Sequence, residues 1–416
     1  MRRVELPYGE GRRIVEVPKQ RLAGIYLPRH LPAAADLEAA ILSALENPLG
    51  GNDLARLAAP GRSVAILVDD ITRTVPTARI LDIFLPYLER LGFELQRITV
   101  ICAVGAHRGL TEQELERLLG RYGGRLRAVN HDAEDQEQLV ALGTTSLGTE
   151  VKINRIFHQA DVKLIVCDTE YHQFCGYGGG AKSVLPGISD RASIQTCHSR
   201  FEAPGAEPGR IEGNPVRGEI EEAGRMAGVD LILNVVLNDR KEVVRVFAGD
   251  MFDAFVAGSR IVDQMYRVTV EQRVDTVIVS AGGWPKDINL YQAQKAIESG
   301  VRIVKQGGKI VLLAECREGA GSKLFHQWME KDLDTIIRKI REKFVLGAHK
   351  AFQFARELLW ADVFLYSSMD PELIEKYHMH PLLEFERIET IVASSESIVI
   401  LPQATTTLPV LAGGSA

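Results

Sequence analysis

Cysteine is scarce and unpaired in spacing. The chain of 416 residues has five, Cys102, Cys167, Cys175, Cys197 and Cys316, none in a C-x-x-C pair. An odd number without such spacing argues against a disulfide framework and against a thiolate zinc site, and fits a reducing compartment. The start, Met1-Arg2-Arg3-Val4-Glu5-Leu6-Pro7, has no apolar core of the signal-peptide kind, and no apolar run approaches the length of a membrane span. The expected location is cytoplasmic, with no membrane partner. There is no Lys/Arg run, and the formal net charge is −6. A phosphate-backbone track is therefore absent, no nucleic-acid partner is expected, and the ligand should be small. No internal repeat, low-complexity tract, H-E-x-x-H motif or clustered carboxylates appear, which weakens a metal-dependent hydrolase reading.

What remains is ordinary globular protein: 46% hydrophobic and 25% charged residues, enough for two domains with sizeable cores. Val4–Pro18 reads as two short strands around Tyr8-Gly9-Glu10-Gly11. A helix near Asp36–Glu46 follows. Strands and helices then alternate: Ser63–Val68, Ala78–Leu91, Arg97–Ala103, Thr111–Leu119, Val162–Val166. Asn214 and Pro215 supply an N-cap and first position for a helix near Val216–Met226, ahead of a strand at Leu231–Leu237. A helix spans Asp250–Tyr266. The polar passage Val268–Arg273 marks a boundary, after which come a strand at Asp275–Ser280, a helix at Leu290–Ile297, a strand at Lys309–Ala314, helices at Leu324–Lys343, Ala348–Trp360 and Pro371–Lys376, and a last strand at Ser397–Leu401. The expectation is an α/β protein of two domains, each a mainly parallel sheet flanked by helices. Residues 1–267 form the first, residues 274–401 the second, and 402–416 a tail that is irregular, loose, or returning to the first domain.

The most informative stretch is Cys175-Gly176-Tyr177-Gly178-Gly179-Gly180-Ala181-Lys182-Ser183, with His172 before it and His198 after it. Glycines let backbone approach a ligand closely, and the lysine brings a cation or a nucleophilic amine. It is not a P-loop: Ala181 replaces the required glycine, the apolar run Lys163–Cys167 ends too early, and Pro186 with Gly187 would stop a helix begun at Ser183. Ligands of open parallel sheets bind beyond the carboxyl ends of the strands. Four segments fall there: Asp69-Asp70-Ile71-Thr72-Arg73, Gly105-Ala106-His107-Arg108, Asp168–His172 and Gly282–Gln292.

His107-Arg108-Gly109, the Gly-Tyr-Gly-Gly-Gly-Ala-Lys-Ser-Val-Leu-Pro-Gly run with His172 ten residues before its lysine, and His198 together resemble the nickel-dependent lactate racemase family. The likeness continues through Gly213-Asn214-Pro215, Asn234-Val235-Val236 and Asp287-Ile288-Asn289-Leu290-Tyr291-Gln292-x2-Lys295, so it spans both halves. The resemblance implies a racemase or epimerase of 2-hydroxy acids that uses a nickel pincer nucleotide, a pyridinium mononucleotide with two sulfur-bearing arms, covalently attached through a thioamide at Lys182. It implies His198 as the protein ligand of Ni(2+), completing a square-planar set otherwise drawn from the cofactor. His107 and His172 become the acid/base pair, Arg73, Tyr291, Gln292 and Lys295 the substrate-binding residues, and Asp70, Thr72, Gly178, Gly179 and Gly180 neighbours of the cofactor's phosphate and ribose. Enzymes that make the cofactor are the implied partners, and the active site is expected in the cleft between the domains. Within that chemistry a dicarboxylate or sugar acid is an alternative substrate; a nucleotide- or phosphate-binding protein without catalysis is the alternative of another class.

Overall fold

A computed structural model describes the chain except for residues 52, 71, 72, 74, 346 and 414–416. It divides into two compact units, residues 30–265 and residues 1–29 with 266–416.

The unit of residues 30–265 is built on a six-stranded sheet. Its order is Val243–Gly249, Leu231–Leu237, Val162–Asp168, Val64–Asp69, Ile98–Ala103 and Arg127–Asn130. Only the pair at the first edge is antiparallel. The sequences explain this: Val64–Val68 and Val162–Asp168 are apolar almost throughout and buried on both faces, as strands covered by helices must be. Ile66, Val68, Val100 and Leu164 pack with Ile80, Phe84 and Leu88 of the helix Thr77–Arg90. Helix starts are fixed by side-chain caps. Asp36 accepts from Ala39 N–H, Thr111 and Glu114 form a capping box, and Asn214 accepts from Val216 and Arg217 ahead of Pro215.

The other unit carries a six-stranded, all-parallel sheet in the order His380–Pro381, Asp362–Tyr366, Val304–Leu313, Val274–Ser280, Ile398–Leu401 and Leu22–Ile25. The first 29 residues thus group with the C-terminal part of the chain, unlike the expected first domain of residues 1–267. Two interactions account for this. Leu22–Ile25 supplies the edge strand beside Ile398–Leu401, and the hairpin Arg2–Tyr8 with Gly11–Val17 buries Val4, Leu6, Tyr8, Val15 and Val17 in the core formed by Ile278, Val311, Leu313 and Ile400. Asp287, fully buried, accepts from the N–H groups of Gly9 and Glu315 and fastens the hairpin turn.

The described part of the tail, residues 402–413, is packed within the unit of residues 1–29 and 266–416. Leu408–Leu411 pairs in parallel with Arg267–Val270, so the first half of the polar passage Val268–Arg273, expected as a domain boundary, is a strand. Ser299 Oγ donates to the carbonyls of Ala404 and Thr407, closing the tail onto the helix Leu290–Val301. The helix expected over Leu324–Lys343 is two, Lys323–Met329 and Leu333–Glu342, because Asp332 starts a new N-terminus by accepting from Thr335 N–H. Among the described residues no helix is long and apolar enough to cross a membrane. Leu408 is buried, so Leu408→Ala is expected to lower unfolding stability by about 2–4 kcal/mol in urea titration, an effect a loose tail would not give.

Candidate active site

Three neighbouring parallel strands end side by side. Val64–Asp69 lies between Val162–Asp168 and Ile98–Ala103, with Val68 level with both Val166 and Cys102. Their carboxyl ends therefore bring Asp69, Asp70 and Arg73, His107, and Asp168 to His172 to one rim, where open parallel sheets bind ligands. Thr72, expected near the cofactor, lies outside the described residues.

Asp70 is buried and its Oδ2 is 2.9 Å from His107 Nδ1, whereas the His107 side chain is 62% exposed. The carboxylate holds the proton on Nδ1, which leaves Nε2 with its lone pair. The loop bearing His107 is tied down as well: His107 N–H donates to Val104, and Gly105 N–H donates to the carbonyl of Gly187. Gly187 in turn donates to the carbonyl of Lys182, so the histidine loop and the lysine turn are linked through backbone.

Lys182 is half-buried in the short turn Gly180–Ser183. Burial lowers its amine below the usual lysine range, Arg73 pushes the same way, and Cys175, Asp69 and Glu170 oppose. The same burial pushes Asp69 up to about 6, with Arg73 and Lys182 pulling it back. Buried Asp168 is raised well above the usual carboxylate range, first by desolvation and then by Glu170 and Asp69. Arg73 is ion-paired to Glu170. Burial works against its charge, but Glu170, Asp69, Asp168 and Asp70 outweigh that and hold it protonated.

His172 and His198 flank one ring. Phe174 meets His172 edge-on at 4.6 Å between centroids and His198 at 5.2 Å. His198 ends the helix Arg191–His198, which starts at Asp190 with a cap to Ser193 N–H. His172 pairs with Gly176 in a two-residue ribbon, and its Nδ1 accepts from Cys175 N–H at 3.4 Å.

The glycine run is a packing device. Gly178 N–H donates to the Glu170 carbonyl and Gly180 N–H to Cys167 Sγ, so neither points to a phosphate. A Cβ at Gly179, which has φ +82°, would stand 2.1 Å from the Asp168 carbonyl oxygen, and one at Gly176 would stand 2.0 Å from that of Arg210. Sequence reading missed what grips this loop. Arg217, fully buried, donates to the carbonyls of Tyr177 and Gly179, pairs with Glu221 and lies 3.6 Å from the Phe255 ring centroid. Asn214 Nδ2 donates to Phe174, and Tyr171 and Tyr177 both donate to Asp263 Oδ1. The Arg217 to Glu221 spacing was the available signal, but such pairs are usually solvated.

In the other unit, Tyr291, Gln292 and Lys295 sit at the start of the helix Leu290–Val301, capped by Asn289 through Gln292 N–H. Gln292 and Lys295 are exposed; Tyr291 is half-buried, its ring edge-on to Phe325 at 5.7 Å. His131 is buried against the Ser189 carbonyl and is structural.

The family profile described as "Lactate racemase N-terminal domain" matches residues 8–209, and "Lactate racemase C-terminal domain" matches residues 269–408. The chain belongs to the lactate racemase family. It is 30% identical to the lactate racemase of Thermoanaerobacterium thermosaccharolyticum, over 97% of this chain and 98% of that one. It is 31% identical to that of Lactiplantibacillus plantarum, over 90% and 91%. The solved lactate racemase apoprotein from the first organism superposes with a TM-score of 0.88 at 30% identity, covering 98% of this chain and all of that one. A Thermotoga maritima structure at 17% identity and TM-score 0.63 shares the fold alone. Family membership makes the chain an isomerase, of the racemase kind.

Lys182 has a folded-state pKa below its unfolded one, so its contribution to stability is unfavourable at neutral pH and fades as pH rises through the folded and then the unfolded value. Lys182→Met is expected to stabilise the protein at pH 7 by about 0.5–2 kcal/mol, with the gain shrinking by pH 10. Urea titrations at the two pH values check this; a variant less stable than the parent at pH 7 contradicts it.

Proposed function

We propose that this chain racemises a lactate-like 2-hydroxy acid with the nickel pincer nucleotide attached at Lys182. The observation that carries the reading is the Lys182 amine, half-buried and lowered in pKa by burial with Arg73 pushing the same way, on the rim that also bears His107 and His172. The residues suit that cofactor. Burial lowers the Lys182 amine and so makes it a readier acylation partner than a solvated lysine, and His198 offers one imidazole. Among the described residues no three His, Cys, Asp or Glu side chains are grouped to hold a metal, so nickel at His198 would draw its remaining ligands from the bound nucleotide.

When bound, the nucleotide supplies an acceptor for the α-hydrogen as hydride, which avoids a carbanion beside a carboxylate. The rest falls to the chain. Arg73 already holds a carboxylate, that of Glu170, and a substrate carboxylate would take its place in a charge-assisted contact. His107, with its Nδ1 proton held by Asp70, accepts the hydroxyl proton of one enantiomer at Nε2 and becomes an imidazolium, while His172 returns a proton only from its own imidazolium form, which leaves it neutral; both histidines reset by proton exchange with solvent. The roles exchange in the reverse direction, as two enantiomers presenting their hydroxyls on different sides require. Asp70 steadies the imidazolium formed at His107. Tyr291, Gln292 and Lys295 are assigned to substrate binding on the family likeness, supported by the exposed polar face at the start of their helix. The N–H groups of Gly178 and Gly180 are occupied, so those glycines with Gly179 serve the cofactor by shaping the turn that presents Lys182. Asp70 is assigned to His107 ahead of any contact with the nucleotide.

Protein made together with the cofactor-producing enzymes should convert L-lactate to an equal mixture of enantiomers, followed by chiral chromatography. His107→Gln and His172→Gln should each lower kcat by about 100- to 10,000-fold. No conversion of either lactate enantiomer by cofactor-loaded protein would rule out the lactate reading.

A further inference from the structure

Beneath Tyr291 and Lys295 lies a charged cluster that the chemistry above leaves unused. Lys350, on the helix His349–Trp360, is only 3% exposed, and its Nζ is 5.5 Å from the centroid of the Tyr291 ring. Glu357 lies two turns further along the same helix, is also buried, and accepts from Gln294 Nε2 at 2.5 Å. Gln294 belongs to the helix of Tyr291 and Lys295. Glu357 Oε2 and Gln294 Oε1 are buried and have no hydrogen-bond partner among the described residues.

Burial lowers Lys350 to about 8; Lys295 pushes it the same way, and Glu298 and Glu357 oppose. Glu357 is raised well above the usual carboxylate range by its own burial, then by Glu298. A buried amine of this kind is costly, and apolar side chains of the same volume usually fill such a position with equal or greater stability. Packing alone therefore does not account for a lysine here. What the amine touches is Tyr291, and the like charge that acts on it is Lys295, one helical turn from Tyr291 on the same face.

We propose that Lys350 is a positioning residue for the substrate-anchoring face of the helix Leu290–Val301: its ammonium fixes the Tyr291 ring by a cation–π contact and, by like-charge repulsion, keeps the Lys295 amine turned outward. The carboxylate of the 2-hydroxy acid then meets a ring and a cation that are already ordered, which lowers the entropy lost on binding. This rests on the assignment of Tyr291 and Lys295 to substrate binding.

The test compares cofactor-loaded Lys350→Met and Lys350→Arg with the parent protein. Lys350→Met should raise KM for lactate about tenfold or more, with kcat within about threefold and thermal stability equal or higher; Lys350→Arg, which keeps the cation, should recover most of the KM. A merely structural lysine would instead show lowered stability with KM unchanged, and that result overturns the proposal. Should Lys350→Met fail to fold, the double variant Lys350→Met with Glu357→Gln removes both buried groups and is read the same way. If the loaded parent turns over no 2-hydroxy acid, the function has failed rather than this inference, and crystal structures of the apoproteins decide: a Tyr291 ring and Lys295 side chain that keep the parent's rotamers in Lys350→Met overturn it, and rotamers that spread or shift support it.

Discussion

An amine withdrawn from water beside a guanidinium is unstable unless carboxylates share the space. That constraint at Lys182 organises residues 30–265. Asp69, Asp168 and Glu170 act on both Lys182 and Arg73 or on one of them; Asp69 and Asp168 end neighbouring strands of a parallel sheet whose register sets those ends side by side, and Glu170 follows two residues after Asp168. The sheet thus does more than form a core: it fixes the distance over which two cations and several acids are balanced. Burial shifts Asp69 and Asp168 up and the Lys182 amine down, so less net charge is kept out of water than a formal count suggests.

The loop around Lys182 is held with corresponding rigidity. Arg217 ties two of its carbonyls, Asp263 takes two tyrosine hydroxyls, and Gly176 and Gly179 permit backbone contacts that a Cβ would forbid. The amine is preorganised by its surroundings. Such an arrangement lowers stability locally while fixing geometry, the usual balance at catalytic centres. The buried lysine in the other unit follows the same logic on a smaller scale, as a charge held under an aromatic ring instead of a packed methyl group.

Much of this was legible in the sequence. The apolar runs at Ser63–Val68 and Val162–Val166, the Asn214–Pro215 helix start and the clustering of His107 and His172 at strand ends are all local signals, and local signals survive in a linear reading. The family likeness added roles for Lys182 and His198. What was not legible depends on partners far away in the chain. Leu22–Ile25 joins a sheet whose next strand begins at Ile398, and Arg267–Val270 becomes a strand only because Leu408–Leu411 lies beside it. Arg217 reads as a solvated helical residue until its burial over Phe255 is seen. The glycines were expected to offer N–H groups to a phosphate, but two of those groups bond within the protein, because tight turns use glycine for approach of backbone to backbone as readily as to a ligand.

The account depends most on Lys182 being the point of attachment. Its most direct test is peptide mapping by mass spectrometry, with metal analysis and a lactate racemisation assay, of protein produced alongside the cofactor-making enzymes. The account predicts a covalent adduct on the peptide containing Lys182 and about one nickel per chain. An unmodified Lys182 in a preparation that racemises lactate, or an adduct on another lysine, would contradict it.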